Sequence, residues 1–158
     1  MNKVTVRVAE VGDIERIADI VKDGWTDIYD GFRDQLGDDI YDTIYNSPID
    51  VKAEKIAAFV KEGRVFVAEL DGAVCGFTSY LVEGSVGALK DNAVSKDARG
   101  HGVASALYEA VFDKLRAEGC TVARVGTGLD EAHAPARRAY EKAGFTAKLE
   151  SVTYYKKL

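Results

Sequence analysis

The chain has 158 residues, 47% of them hydrophobic and 30% charged, and a formal net charge of −5. That length and apolar content predict one domain over residues 1–158 with a core of its own. The negative balance argues against general nucleic-acid binding, and no apolar run approaches a membrane span.

Met1-Asn2-Lys3-Val4 lacks a secretory core, so a cytoplasmic location is expected. Val4-Thr5-Val6-Arg7-Val8 alternates as a first strand. From Asp13 the apolar residues Ile14, Ile17, Ala18, Val21, Trp25 and Ile28 recur at helical spacing. A second helical stretch carries Leu36, Ile40, Tyr41, Ile44 and Tyr45 before Ser47-Pro48 interrupts it. A third runs from about Val51 through Ile56, Phe59 and Val60 to a stop at Gly63.

The period then changes. Val65 to Leu70 reads as a strand, Asp71-Gly72 as a tight turn and Ala73 to Leu81 as the returning strand. After Gly84, Val86 to Ser95 forms the next strand. A helix from roughly Gly102 to Glu118 buries Val103, Ala106, Leu107, Ala110, Val111 and Leu115 and stops at Gly119. Thr121 to Thr127 is a fifth strand, followed by a short helix to Ala143. Phe145 to Lys157 alternates enough for one or two closing strands. An antiparallel meander followed by a strand–helix–strand crossover makes a mixed α/β domain.

One junction carries chemistry. Arg99-Gly100-His101-Gly102-Val103-Ala104 runs straight into the apolar-striped helix without an acidic residue. Successive backbone N–H groups of such a loop, together with the positive end of the helix, bind phosphate oxygens. The same glycines also suit a plain loop-to-helix turn. No Walker run is present, and Ser105 stands where a dinucleotide fingerprint needs its third glycine.

A second block, His133-Ala134-Pro135-Ala136-Arg137-Arg138-Ala139-Tyr140-Glu141-Lys142-Ala143-Gly144-Phe145, is a short helix with a glycine stop. Together the two blocks resemble the GNAT acetyltransferase superfamily. Its loop pattern, Arg/Gln-x-x-Gly-x-Gly/Ala, is matched by Arg99, Gly102 and Ala104. Its last-helix pattern is matched by Ala136, Tyr140, Gly144 and Phe145. Two positions depart from it: His133 stands where the family often has Asn, and Lys96 where it often has Pro.

The resemblance implies a mostly antiparallel sheet whose central pair of strands splays apart, with helices on both faces. It implies acetyl-CoA as acyl-donor cosubstrate and N-acetyl transfer to a primary amine of a small molecule or peptide, by direct attack in a ternary complex. The implied cofactor contacts are Ala93, Val94 and Ser95 on the central strand, Arg99, Gly100, His101, Gly102, Val103, Ala104 and Ser105 at the loop, and His133, Ala136, Arg137 and Tyr140 on the last helix. Tyr140 is also the implied general acid, because a phenol stays protonated at neutral pH and can donate to a departing thiolate. Asp91 is the candidate base and Glu83 a second carboxylate near the strand. Cationic side chains at Lys96, Arg99, Arg137, Arg138 and Lys142 gather in the two blocks, as an anionic cofactor requires, although the last helix's cations also fit a solvated face.

Trp25 and Tyr29 resemble a Trp-x-x-x-Tyr pattern on the acceptor side of many small GNAT proteins. The surrounding Asp23, Asp27, Asp30, Asp34, Asp38, Asp39 and Asp42 would attract a cationic amine; a solvated acidic helix with Trp25 in the core is the competing reading. Cys75 and Cys120 are expected as buried reduced thiols. No paired ligand spacing supports a metal, and Ser79, Ser95 and Ser105 lack a Gly-x-Ser-x-Gly elbow. A non-catalytic CoA-binding sensor or partner subunit, and a nucleotide- or phosphate-binding module, remain as alternatives. The expected assembly is a monomer or homodimer.

Overall fold

The computed structural model describes residues 3–158. Five strands form one sheet in sequence order: β1 (Val4–Val8), β2 (Val65–Leu70), β3 (Ala73–Glu83), β4 (Val86–Val94) and β5 (Val122–Val125). The first four pair antiparallel, and β5 lies parallel to β4. A parallel neighbour needs a crossover, supplied by helix α4 (Val103–Ala117). The remaining helices are α1 (Ile14–Leu36), α2 (Asp38–Ile44), α3 (Pro48–Lys61) and α5 (Ala134–Lys142).

The alternation of β2 divides the core. Val65 and Val67 join Phe77 beneath α1 and α3, where they meet Ile17, Ile20, Val21, Ile56 and Val60. Ala68 packs beneath α4 with Val103 and Leu107. Further along that side, Tyr80 and Leu89 meet Tyr108, Val111 and Leu115 of α4 and Tyr140 of α5. Helices therefore cover both faces, as expected.

Several boundaries moved for local reasons. Leu36 closes α1, because the chain breaks at Gly37 rather than earlier. Helix α3 starts at Pro48, ahead of the expected Val51: a proline is tolerated in a helix's first turn, where its missing N–H has no partner to lose. The expected strand Thr121–Thr127 shortens to Val122–Val125, since only those residues find partners on β4.

The expected closing strands between Phe145 and Lys157 are absent: residues 145–158 carry no regular structure. Alternation alone does not make a strand; a ladder partner is needed. The tail instead leads to α2, where the Lys157 ammonium meets the Asp39 carboxylate. Leu149, Val152 and Tyr154 are exposed along the way.

The feature that shapes the site lies between β3 and β4. Thr78 pairs with Asn92, but Tyr80 pairs with Leu89. Ser79 therefore faces two residues, Lys90 and Asp91, which is a β-bulge. The buried Ser79 hydroxyl clamps it, accepting from the Asp91 N–H at 3.0 Å and lying 3.2 Å from the Asp91 carbonyl, to which it donates. Pairing between β4 and β5 also ends at this level, at Leu89 and Val125. Beyond it β4 continues to Val94 with no partner on its β5 side, and the sheet opens.

Removing the Ser79 hydroxyl leaves a buried N–H unpaired, which costs about 1–3 kcal/mol. Ser79→Ala should lower Tm by several degrees in a calorimetric scan, and ligand binding in the opening should weaken as it loses its shape. A Tm equal to that of the wild type would mean that the bulge holds without the clamp.

Candidate active site

The opening between β4 and β5 widens into a cavity of about 840 Å³, lined from α1, α3, β4, the loop before α4, α4 itself and α5. Its lining carries the cations Lys52, Lys90, Lys96, Arg99 and Lys142 and the carboxylates Asp23, Asp27, Asp91 and Glu131. The glycine loop contributes Arg99 and α5 Lys142, α1 contributes Asp23 and Asp27, and Asp91 is already paired with Lys52.

At the loop, Gly100 and Gly102 adopt φ of +79° and +78°, left-handed conformations that favour glycine. Gly102 caps α4 without any side-chain hydrogen bond, and the first turn of the helix holds no acidic residue. The first N–H groups of a helix lack intrahelical partners. Among the described residues no side chain claims them, so they are open to an anion.

On β4, the Ser95 N–H is committed to the Cys75 carbonyl of β3 at 2.8 Å. Hydrogen-bonding direction alternates along a strand, so the N–H groups of Asn92 and Val94 face the opposite, unpaired edge. These are donors with no strand to receive them.

Tyr140 is buried at the centre of this arrangement. Its hydroxyl accepts from the Asn92 Nδ2 at 2.9 Å, and the Tyr108 hydroxyl donates to the Asn92 Oδ1 at 2.8 Å. Burial raises the Tyr140 pKa above the ordinary phenol value, and Asp91 adds to the rise; the hydrogen bond from Asn92 partly opposes it. Desolvation also pushes Tyr108 up. Tyr140 is therefore a protonated phenol throughout the neutral range.

Asp91 does not stand free. Its carboxylate is 2.7 Å from the Lys52 ammonium of α3, and that ammonium lies 4.9 Å from the centroid of the Trp25 ring. Tyr29, Phe32 and Tyr45 form a mutual aromatic cluster, and Phe32 stacks on His133 with centroids 6.1 Å apart. Trp25 also stacks against Phe77, so it belongs to the core and to the cavity wall at once.

The sequence matches the model of the Acetyltransferase (GNAT) family over residues 22–145. The chain belongs to the GNAT acetyltransferase family. A search of curated protein sequences finds no match. Among solved structures, PaiA N-acetyltransferase from Thermoplasma acidophilum, in complex with coenzyme A, aligns with a TM-score of 0.72 at 14% identity, covering 92% of this chain and 91% of that one. Aminoglycoside N-acetyltransferase AAC(6')-Iy, in complex with a CoA-containing bisubstrate analogue, aligns at 0.68 and 17% identity, covering 99% of each chain. An aminoglycoside acetyltransferase from an uncultured soil metagenomic sample, in complex with sisomicin, aligns at 0.63 and 15% identity over 98% of this chain and 96% of that one. At these identities the likeness is one of fold.

As a GNAT acetyltransferase the protein draws its acyl group from acetyl-CoA. The residues present fit that molecule: uncommitted N–H groups at the start of α4 suit its phosphates, and the unpaired edge of β4 suits its amide-bearing arm. Most residues expected at the site do line the cavity: Trp25, Tyr29, Asp91, Ala93, Val94, Arg99, Gly100, Gly102, Val103, Ala104, Ser105, His133, Ala136 and Tyr140.

Four positions lie elsewhere. Ser95 is buried below the cavity wall, its N–H bonded to β3. The His101 ring turns back into its own loop, with Nδ1 donating toward the carbonyls of Ala98 and Arg99 at 3.2 and 3.0 Å. Arg137, expected to face the cofactor, instead donates to the carbonyls of Gly128 and Asp130, both at 2.7 Å, and so ties down the loop between β5 and α5. Glu83 ends β3 in an exposed ion pair with Arg124, outside the cavity. His133 is in the lining, but its Nδ1 is 2.6 Å from the Asp130 carboxylate, so it also braces this loop.

Asn92, Tyr108, Lys52 and Phe32 escaped the sequence reading. An apolar-stripe criterion passes over a tyrosine on α4, and nothing in a single chain marks Asn92 as the neighbour of Tyr140. Gly102→Ala should raise the acetyl-CoA Kd about tenfold in isothermal titration calorimetry, matching the roughly 1–2 kcal/mol an L-residue loses in left-handed backbone. An unchanged Kd would remove the loop from cofactor binding.

Proposed function

We propose that the protein transfers an acetyl group from acetyl-CoA to the primary amine of a small cationic molecule or a peptide, by direct attack within a ternary complex. The observation that carries this reading is the Tyr140 hydroxyl, held against the unpaired stretch of β4 by Asn92. Acetyl-CoA supplies a thioester, whose acyl carbon the amine attacks and whose sulfur must leave as a thiol.

Tyr140 gives its proton at that sulfur. The outward N–H groups of β4 hold the developing oxyanion, a contribution of roughly 3–4 kcal/mol per well-aimed donor. Asp91 takes the amine proton, directly or through water, on the carboxylate it shares with Lys52.

Acceptor choice follows from the wall toward α1. Asp23 and Asp27 supply negative charge, and Trp25, Tyr29 and Phe32 supply aromatic surface. A cation beside an aromatic face is attracted to its quadrupole. Two of the solved relatives are aminoglycoside acetyltransferases, and an amino sugar is one amine of this kind.

Tyr140→Phe should lower kcat by about 100–10,000-fold with little change in acetyl-CoA affinity; turnover within about twofold of wild type would sink the acid role. A thiol-release screen across amines should favour polyamines and amino sugars over acidic amines. Preference for acidic amines would overturn the charge argument, and parallel initial-rate lines would overturn the ternary complex.

A further inference from the structure

We propose that Asn92 and Tyr108 are positioning residues for Tyr140, forming a directional hydrogen-bond chain that leaves the Tyr140 proton free to be donated into the cavity. The inference rests on the reading of Tyr140 as general acid, and it concerns which way that acid points.

A carboxamide has two unlike ends. Its oxygen only accepts, and its nitrogen only donates. In the structure the Asn92 oxygen faces the Tyr108 hydroxyl and accepts its proton at 2.8 Å. The Asn92 nitrogen, 2.9 Å from the Tyr140 oxygen, must then donate to it. Tyr140 is thus an acceptor toward Asn92, and no hydrogen bond among the described residues takes its proton. That proton is free to turn toward the cavity, which Tyr140 lines.

Tyr108 holds the chain at its far end. It is buried on α4, and its ring packs against Tyr140 with centroids 5.7 Å apart. The three residues come from α4, β4 and α5, so the chain exists only when all three elements dock. Asn92 lies just past the bulge, and the Ser79 clamp on its neighbour Asp91 sets the strand's path there.

The chain also acts on acidity. A donor to the phenolic oxygen stabilises the phenolate that remains after proton transfer. The groups that face Tyr140 are Asn92 and Asp91 from β4 and Tyr108 from α4; the Asn92 donor favours the anion, while the Asp91 charge opposes it. Phe145, from the segment after α5, contributes an apolar edge.

Asparagine and aspartate have nearly the same shape but opposite hydrogen-bonding demands. Aspartate at 92 would accept from both tyrosines, drawing the Tyr140 proton away from the cavity and adding a negative charge beside it. A merely structural side chain would tolerate that exchange better than truncation. A positioning role predicts the reverse.

The test compares Asn92→Asp, Asn92→Ala and Tyr108→Phe, using kinetics and the 19F titration of 3-fluorotyrosine placed at position 140 in ligand-free protein. Loss of one hydrogen bond to the phenolate, in Asn92→Ala, should raise the 19F midpoint by about one pH unit and lower kcat about tenfold, with the acetyl-CoA KM nearly unchanged. Asn92→Asp should raise the midpoint further and cost more turnover than Asn92→Ala. Tyr108→Phe should show a smaller loss in the same direction.

Midpoints that stay put in both Asn92 variants, with native circular dichroism, overturn the chain. So does an Asn92→Asp variant more active than Asn92→Ala. Midpoints that move as expected while Tyr140→Phe turns over normally overturn the acid reading instead, and with it the catalytic purpose of the chain.

Discussion

A single hydroxyl, that of Ser79, sets the geometry on which this active site depends. By bonding both backbone polar groups of Asp91, it stabilises an extra residue in β4 opposite a single residue of β3. An inserted residue bends the strand and increases its twist. The far edge of β4 loses β5 at the same level. In an ordinary sheet an unpaired strand edge is a liability; here it becomes a row of donors at the floor of a cavity.

The remaining elements complete what the opening begins. Helix α4 brings its uncommitted N-terminus to one end, and α5 brings Tyr140 to the middle. Helix α1 supplies the aromatic and acidic wall, while Lys52 of α3 reaches across to Asp91. Lys96 and Arg99 at the glycine loop and Lys142 of α5 give a polyanionic acyl donor cations to meet at the rim.

Several side chains that resemble cofactor ligands serve the loop instead. Arg137 satisfies two carbonyls between β5 and α5, and His133 holds Asp130 while stacking on Phe32. Such bonds give a loop without regular structure the backbone partners that a sheet or helix would otherwise provide. They also couple the position of α5, and hence Tyr140, to the wall formed by α1.

The sequence alone determined the elements and the family. Alternation in Val4–Val8, the tight turn at Asp71-Gly72 between two strands, helical spacing in α1, α3 and α4, and the glycines at 100 and 102 are local patterns, set by backbone geometry and by which side of an element meets water. The matched blocks ending at Ala104 and Phe145 carried the chemistry as far as acetyl-CoA and Tyr140. Tertiary structure decided what no local pattern encodes. It showed the bulge at Lys90–Asp91, because register depends on a partner strand. It left the tail after Gly144 without a ladder, because alternation supplies a strand's faces but not its neighbour. It joined Asn92, Tyr108 and Tyr140, three residues from separate elements, because hydrogen bonds between distant positions exist only once packing brings their atoms within reach.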